Sequence, residues 1–283
     1  MKQYEVLKRA SLFLADHQRE EHVAQILLQH YLGVSRTKFF ADMQETVPEP
    51  VGKQFEKAVK AHAATGIPVQ HLLGYEMFYG RKFKVNSDVL IPRPETEELV
   101  QYVIGQINKH EKKPLTIADI GTGSGVIACT LALELPQATV YATDISEAAL
   151  TVAKQNAGNL QANITFLQGD FLQPLIDQQL KADIIVSNPP YIAESEKTSM
   201  SDTVRQYDPA LALFAADNGL AAYRSIVKSL PNVLKEQALV AFEIGYQQGK
   251  AVKQLILQQF PKSEVAMIPD INGKDRIIST KIS

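Results

Sequence analysis

The residues best equipped for chemistry in this 283-residue chain are Asn188, Pro189, Pro190 and Tyr191. They follow the apolar run Ile184-Ile185-Val186, which predicts a buried strand, so the four emerge at that strand's C-terminal end. The asparagine carboxamide offers an oxygen that accepts and an NH2 that donates. Neither proline carries an N–H, so both stiffen the backbone and leave carbonyl oxygens as the local polar groups. The tyrosine then supplies an aromatic face. Together they suit the grip of a planar NH2 group, with both hydrogens accepted and the plane stacked. Asn-Pro also opens ordinary turns and Pro-Pro stiffens ordinary loops. The weight of the motif therefore depends on a cofactor site upstream, at the right place in an α/β sheet.

Such a site is legible. Ile117-Ala118-Asp119-Ile120 runs into Gly121-Thr122-Gly123-Ser124-Gly125, followed by a predicted helix over 126–135. Glycines there let the chain turn tightly and let a ligand approach the main chain at a helix N-terminus. A dinucleotide fingerprint would want glycine at position 126, where Val126 stands. The G-x-G-x-G form preceded by Asp119 instead resembles the first motif of class I S-adenosylmethionine-dependent methyltransferases. Asp144 ends the next predicted strand, Val140-Tyr141-Ala142-Thr143-Asp144, where a carboxylate suits both ribose hydroxyls of an adenosine. Bonds of that kind are worth roughly 1.5–3 kcal/mol each. The competing role for Asp144 is as cap of a helix starting near Ser146. Gly169-Asp170-Phe171, after a third predicted strand, offers an acid and an aromatic to bond and cover an adenine, although Phe171 suits a core equally well.

The elements that must position these residues fall into three stretches. Residues 1–74 read as a small helical bundle: Val23, Ile26, Leu27, His30 and Tyr31 make one stripe, with similar spacing in Tyr4-Leu7, Leu12-Leu14 and Phe55-Val59-His62. Residues 75–92 read as a β-hairpin linker, carried by Phe78, Tyr79, Gly80, Phe83 and Val85. Pro94, with three glutamates close by, then opens a helix, and residues 93–283 form the third stretch. Strands are expected at 116–120, 138–144, 163–168, 183–187, 238–244, 263–268 and 277–282. Helices separate most of these, which predicts a parallel sheet wound on both faces with an antiparallel final pair.

Composition narrows the partners. Hydrophobic residues at 45% and charged residues at 21% are ordinary for a globular protein. A net charge of -2 and a pI near 6.3 argue against a protein that lives on bulk nucleic acid. The one cysteine, Cys129, excludes a disulfide framework and reads as core filling. His17, His22, His30, His62, His71 and His110 show no metal spacing, so no metal is expected and surface or interdomain places are. With no run of 18 apolar residues and no signal-like start, no membrane is expected and the cytoplasm is the default.

With the motifs in this order, the chain resembles the protein-(glutamine-N5) methyltransferases that modify bacterial peptide chain release factors. The resemblance runs through Pro68-Val69-Gln70-His71-Leu72-Leu73-Gly74, Ile91-Pro92-Arg93-Pro94-Glu95-Thr96-Glu97, Asp119–Gly125, Asn188–Tyr191, and Asp270 with Gly273-Lys274-Asp275-Arg276. It covers nearly the whole length, with His71 standing where many relatives have tyrosine. It implies a class I, Rossmann-like α/β fold with a mostly parallel seven-stranded sheet, plus a helical bundle that docks the substrate. S-adenosyl-L-methionine is the implied cofactor: Gly121, Thr122, Gly123, Ser124 and Gly125 would line its methionine and ribose side, Asp144 hold the ribose, and Phe171 border the adenine. Asn188 would contact cofactor and substrate, with Pro189, Pro190 and Tyr191 completing the pocket for the glutamine of a Gly-Gly-Gln loop. Asn188, Pro189 and Tyr191 are then the expected catalytic residues, and Glu243, at a later strand end, is expected to stand outside the chemistry. The Asn-Pro-Pro-Tyr motif is shared with adenine-N6 nucleic-acid methyltransferases and with glutamine methyltransferases acting on a ribosomal protein. The acidic pI speaks against the first and the Arg-Pro-Glu-Thr stretch against the second. A binding module with a vestigial pocket is disfavoured by the intact glycine loop.

Overall fold

The structure is a computed structural model that describes residues 1–107, 114–200 and 202–282. The chain divides into two compact units, Met1–Tyr75 with Ser201–Tyr207, and Glu76–Met200 with Asp208–Ser283.

The first unit begins with α1 (Gln3–Asp16), α2 (His22–Leu32), α3 (Arg36–Ala41), α4 (Glu49–Thr65) and α5 (Val69–Leu73). Gly33 and Gly66 end α2 and α4 in the left-handed conformation that glycine adopts without strain, and Pro50 sits in the first turn of α4. The buried faces differ in detail from the expected stripes. In α2 the buried set is Val23, Ala24, Leu27 and Leu28, while Ile26 is exposed. The helix packs on both α1 and α4, which turns the face carrying the small Ala24 inward. In α1 Ala10 and Leu14 are buried, and Tyr4 and Leu12 are exposed. His62 is not a surface residue: it is buried, with Nδ1 2.7 Å from the Ile67 carbonyl, where the chain leaves α4. His110 lies outside the described residues.

The second unit opens on a hairpin of β1 (Tyr75–Phe78) and β2 (Arg81–Lys84). Its two turn residues, Tyr79 and Gly80, both have positive φ, matching the twist of the paired strands. Phe78 and Phe83 are buried in this unit's core. Then follow α6 (Pro94–Gln106), β3 (Thr116–Ile120), α7 (Val126–Glu134), β4 (Thr139–Asp144), α8 (Glu147–Leu160), β5 (Ile164–Gln168), α9 (Gln173–Asp177) and β6 (Ala182–Ser187). Next come β7 (Ile192–Ala193), α10 (Asp202–Tyr207), α11 (Ala210–Leu213), β8 (Phe214–Ala215), α12 (Ala216–Gly219), α13 (Ala221–Ser229) and β9 (Leu234–Glu243). Of these, α10 belongs to the first unit. The chain closes with α14 (Gly249–Gln259), β10 (Val265–Pro269) and β11 (Asp275–Ile282).

Seven strands form one sheet in the order β10-β11-β9-β6-β3-β4-β5. Six of these run in one direction, and β11 alone is reversed, antiparallel to both its neighbours, β9 and β10. One face buries Leu99, Val103 and Leu131 from α6 and α7, and the other Tyr223, Ile226 and Val252 from α13 and α14. Strands covered on both sides read as continuous apolar runs, as Ile184-Ile185-Val186 does. β9 begins four residues earlier than its apolar run, and a register shift against β6, with Gln237 at positive φ, admits Leu234-Lys235-Glu236-Gln237. The two-residue pair β7 and β8 was not foreseen. The winding direction reverses between β3 and β6, and the loops after these strands open into the crevice where open α/β sheets bind ligands.

Candidate active site

The reversal brings the two sequence motifs side by side. Ile120 pairs with Ser187, and the Ser187 hydroxyl donates to the Ile120 carbonyl at 2.6 Å. Gly121 and Asn188 are the next residues of each strand, so this bond joins the two loops at their roots. The Gly121 and Thr122 amides both donate to the Thr143 carbonyl at 2.9 Å, which fastens the glycine loop to the end of β4. Gly121 and Gly123 have positive φ, and open space lies where their side chains would be. Gly125, also left-handed, faces Ala153 on α8, where a Cβ on residue 125 would stand only 3.1 Å from the Ala153 Cβ. Buried Asn156 secures the loop further, donating to the Ser124 carbonyl at 2.9 Å and to the Lys84 carbonyl at 3.0 Å while accepting from the Lys84 amide at 2.7 Å.

A cavity of about 490 Å³ opens beside this loop, within the range of small-molecule sites. Gly121, Thr122, Gly123, Ser124, Asp144, Phe171, Asn188 and Pro190 line it, whereas Gly125, Pro189 and Tyr191 do not. Pro189 is buried behind it, and Tyr191 packs against the core under α13 and α14. Asp144 accepts from the Gly123 amide at 2.8 Å and the Ser146 amide at 2.9 Å. Burial raises its pKa against those two bonds. The cap of α8 is Ser146, whose hydroxyl accepts from the Ala149 amide, so Asp144 does not cap the helix. Phe171 serves both expected settings, lining the cavity while packing against the core.

Beneath the glycine loop Asp119 is fully buried. Oδ2 accepts from the Thr122 hydroxyl at 2.6 Å and the Ala128 amide at 3.2 Å, while Oδ1 has no hydrogen-bond partner among the described residues. Burial pushes its pKa up to about 7.

Sequence reasoning missed what lies behind Asn188. Its Nδ2 donates to the Thr96 hydroxyl at 3.2 Å, and that hydroxyl donates to Glu243 Oε2 at 2.7 Å. The Tyr191 hydroxyl lies within electrostatic reach of the same carboxylate. Thr96 and Glu243 are 3% and 1% exposed, so water does not compete. Burial pushes Glu243 up to about 7 and Tyr191 up to about 12. The signal available in sequence was Thr96 at the third position of α6 and Glu243 at a strand end, 147 residues apart. The backbone of Tyr191 is held as well: the Gln248 amide donates to its carbonyl at 2.8 Å, and Gly219 packs against that same carbonyl.

Relatives identify the lineage. The methyltransferase small domain matches residues 101–209 and the PrmC N-terminal domain matches residues 5–74. The release factor glutamine methyltransferase of Bacillus subtilis is 48% identical over 99% of this chain and 97% of its own. The chain belongs to the release factor glutamine methyltransferase family. The Bacillus cereus member is 47% identical over 98% of both chains. A methyltransferase from Pyrococcus furiosus shares the fold, with a TM-score of 0.53 at 14% identity over 80% of this chain and 96% of that one. A family built on S-adenosylmethionine chemistry fits the site: its cavity is flanked by unfilled space at Gly121 and Gly123 and by a carboxylate at Asp144.

Proposed function

We propose that this protein transfers a methyl group from S-adenosyl-L-methionine to the side-chain amide N5 of the glutamine in the Gly-Gly-Gln motif of peptide chain release factors. The observation that carries the reading is the junction of β3 and β6, where the glycine loop and the Asn188 carboxamide face one cavity. Near-complete identity in length with relatives named release factor glutamine methyltransferase supports the choice of substrate.

When bound, S-adenosylmethionine supplies an electrophilic sulfonium methyl. Gly121 to Ser124 hold its methionine and ribose side, Asp144 accepts from the ribose hydroxyls, and Phe171 borders the adenine. Gly125 contributes by closing the loop onto α8. An amide nitrogen is a poor nucleophile, because its lone pair is delocalised into the carbonyl. The Asn188 oxygen and the Pro189 carbonyl accept the two N–H bonds of the substrate amide, which turns that lone pair toward the methyl and stabilises the positive charge that develops on nitrogen. Pro190, which lines the cavity, shapes the wall that the amide plane packs against, and Tyr191 anchors the end of that loop to the core. No base need act before transfer, since the alkylated nitrogen is itself acidic. Positioning of this kind supplies several kcal/mol, and each ~1.4 is tenfold in rate.

The helices of residues 1–74 dock the release factor, because one glutamine side chain offers too little area for selectivity. The hairpin within residues 75–92 packs into the core of the catalytic domain, which continues through residues 93–283 apart from α10. No stable complex with nucleic acid is involved, and the cytoplasm is the place of action. The test is methyl transfer from labelled S-adenosylmethionine to purified release factor and adenine-containing DNA side by side, with mass spectrometry locating the methyl. Label on the Gly-Gly-Gln glutamine is expected, and label on adenine alone would overturn the substrate.

A further inference from the structure

The two ends of an asparagine amide have nearly the same shape and differ in whether they donate or accept. Whether Asn188 presents its oxygen to the cavity therefore depends on what holds its nitrogen. Thr96 has a single hydroxyl proton, and that proton points to the Glu243 carboxylate at 2.7 Å. The Thr96 oxygen is left to accept, which admits Asn188 Nδ2 at 3.2 Å and rejects Oδ1. One buried carboxylate thus fixes, through Thr96, which end of the Asn188 amide faces the cavity, and the prolines that follow Asn188 bring no N–H to compete.

We propose that Glu243, acting through the Thr96 hydroxyl, is the positioning residue that keeps the Asn188 amide turned with Oδ1 as the acceptor for an incoming NH2 group. The catalytic consequence rests on the methyltransferase reading above, whereas the geometry does not. Glu243 is faced by Thr96 and Glu95 from α6, Tyr191 from the loop after β6, and Arg276 from β11, while the Tyr223 hydroxyl of α13 bonds its backbone carbonyl at 2.7 Å. Ionised, the carboxylate only accepts, and the Thr96 hydroxyl must donate to it. Protonated, it donates to the Thr96 oxygen, so that hydroxyl turns round. Its proton then goes to Asn188 and the amide flips. Burial places the change near neutrality, so the ordered arrangement is gained as pH rises through about 7.

The test compares Thr96→Ser, Thr96→Val and Glu243→Gln with wild type in methyl transfer and in side-chain amide spectra of protein labelled with 15N-asparagine. Thr96→Val should lose about 30-fold in kcat, the ~2 kcal/mol of one buried hydrogen bond, with the KM for S-adenosylmethionine unchanged. Thr96→Ser, which keeps the hydroxyl, should stay within about threefold of wild type, well under 1 kcal/mol. Wild-type kcat should rise from pH 6 to 8, and that of Glu243→Gln should be flat. In the spectra, one Asn188 side-chain proton should be protected from exchange in wild type and Thr96→Ser but not in Thr96→Val. Equal losses in the serine and valine variants would reduce Thr96 to packing and overturn the proposal, as would full activity in Thr96→Val. Absence of the protected proton in wild type overturns it whatever the enzyme methylates. A protected proton in a protein that transfers no methyl would leave the positioning intact and defeat the functional reading alone.

Discussion

Replacing Gly219 by alanine is the sharpest perturbation the site offers. Gly219 has φ +82°, and a Cβ there would stand 2.1 Å from the Tyr191 carbonyl oxygen, 2.9 Å from its carbon and 2.6 Å from the Gln248 amide nitrogen. An ordinary contact is 3.4–4 Å, so a backbone group must retreat by more than 1 Å. The left-handed conformation alone costs an alanine about 1–2 kcal/mol of stability. Gly33→Ala isolates that cost, since its φ is +65° with nothing within 4 Å. Because Tyr191 ends the Asn188–Tyr191 loop, the retreat moves the substrate pocket. Misplacement by ~1 Å costs on the order of 100-fold in rate, or ~2.7 kcal/mol. The assay is kcat for methyl transfer to release factor, beside calorimetric affinity for S-adenosylmethionine and thermal unfolding. Gly219→Ala should be folded, bind the cofactor within a few-fold of wild type, and turn over about 100-fold more slowly. Gly33→Ala should lose stability and keep its turnover. Wild-type kcat in a folded Gly219→Ala protein would refute the reasoning, because the Tyr191 backbone would then have no bearing on chemistry.

Further outcomes follow from the same geometry. Asp144→Ala should weaken S-adenosylmethionine binding about 10- to 100-fold by calorimetry, for the loss of charge-assisted bonds; unchanged affinity would leave Asp144 only the tether of Gly123 and Ser146. Asn188→Ala should keep its melting temperature and lose most methyl transfer, and near-normal turnover would remove the proposed mechanism. Asp119 bears on stability. Its folded pKa, raised from 3.8 to about 7, lies above the unfolded value, so the stabilisation it gives is full at low pH and is lost as pH rises from about 4 through 7. Thermal unfolding of wild type should therefore fall more steeply between pH 5 and 8 than that of Asp119→Asn, and parallel curves would show that Asp119 does not ionise in this window.

The sheet was readable because its strands are apolar runs between glycine-rich turns, and β3 was located to the residue. The start of β9 was not, since Lys235-Glu236-Gln237 carries no strand pattern and is held there by pairing with β6. In the helical unit, period alone fixed that α1 and α2 have apolar faces but not which way they turn, because the neighbours that choose the face are remote in sequence. The glycine loop, Asp144 and Asn188 stood out individually, and the hydrogen bond of Ser187 to Ile120 explains why they meet. Thr96 and Glu243 were illegible as partners. A threonine in a first helical turn and a glutamate at a strand end are commonplace, and only the adjacency of β6 and β9 under α6 brings them to Asn188.

The path of the chain through α10 bears on how the first compact unit can be exchanged between relatives. Although α10 lies between β7 and β8 of the catalytic unit, it clusters with the helices at the start of the chain, where the Tyr207 hydroxyl donates to the Thr65 carbonyl at 3.0 Å. The first compact unit is therefore encoded in two separate stretches of gene. A recombination event, or a designed chimaera, that swaps only the first 75 residues would leave α10 behind and set a foreign bundle's Thr65 carbonyl against the host's Tyr207 hydroxyl. A whole exchange of this unit between members of the family carries both stretches together.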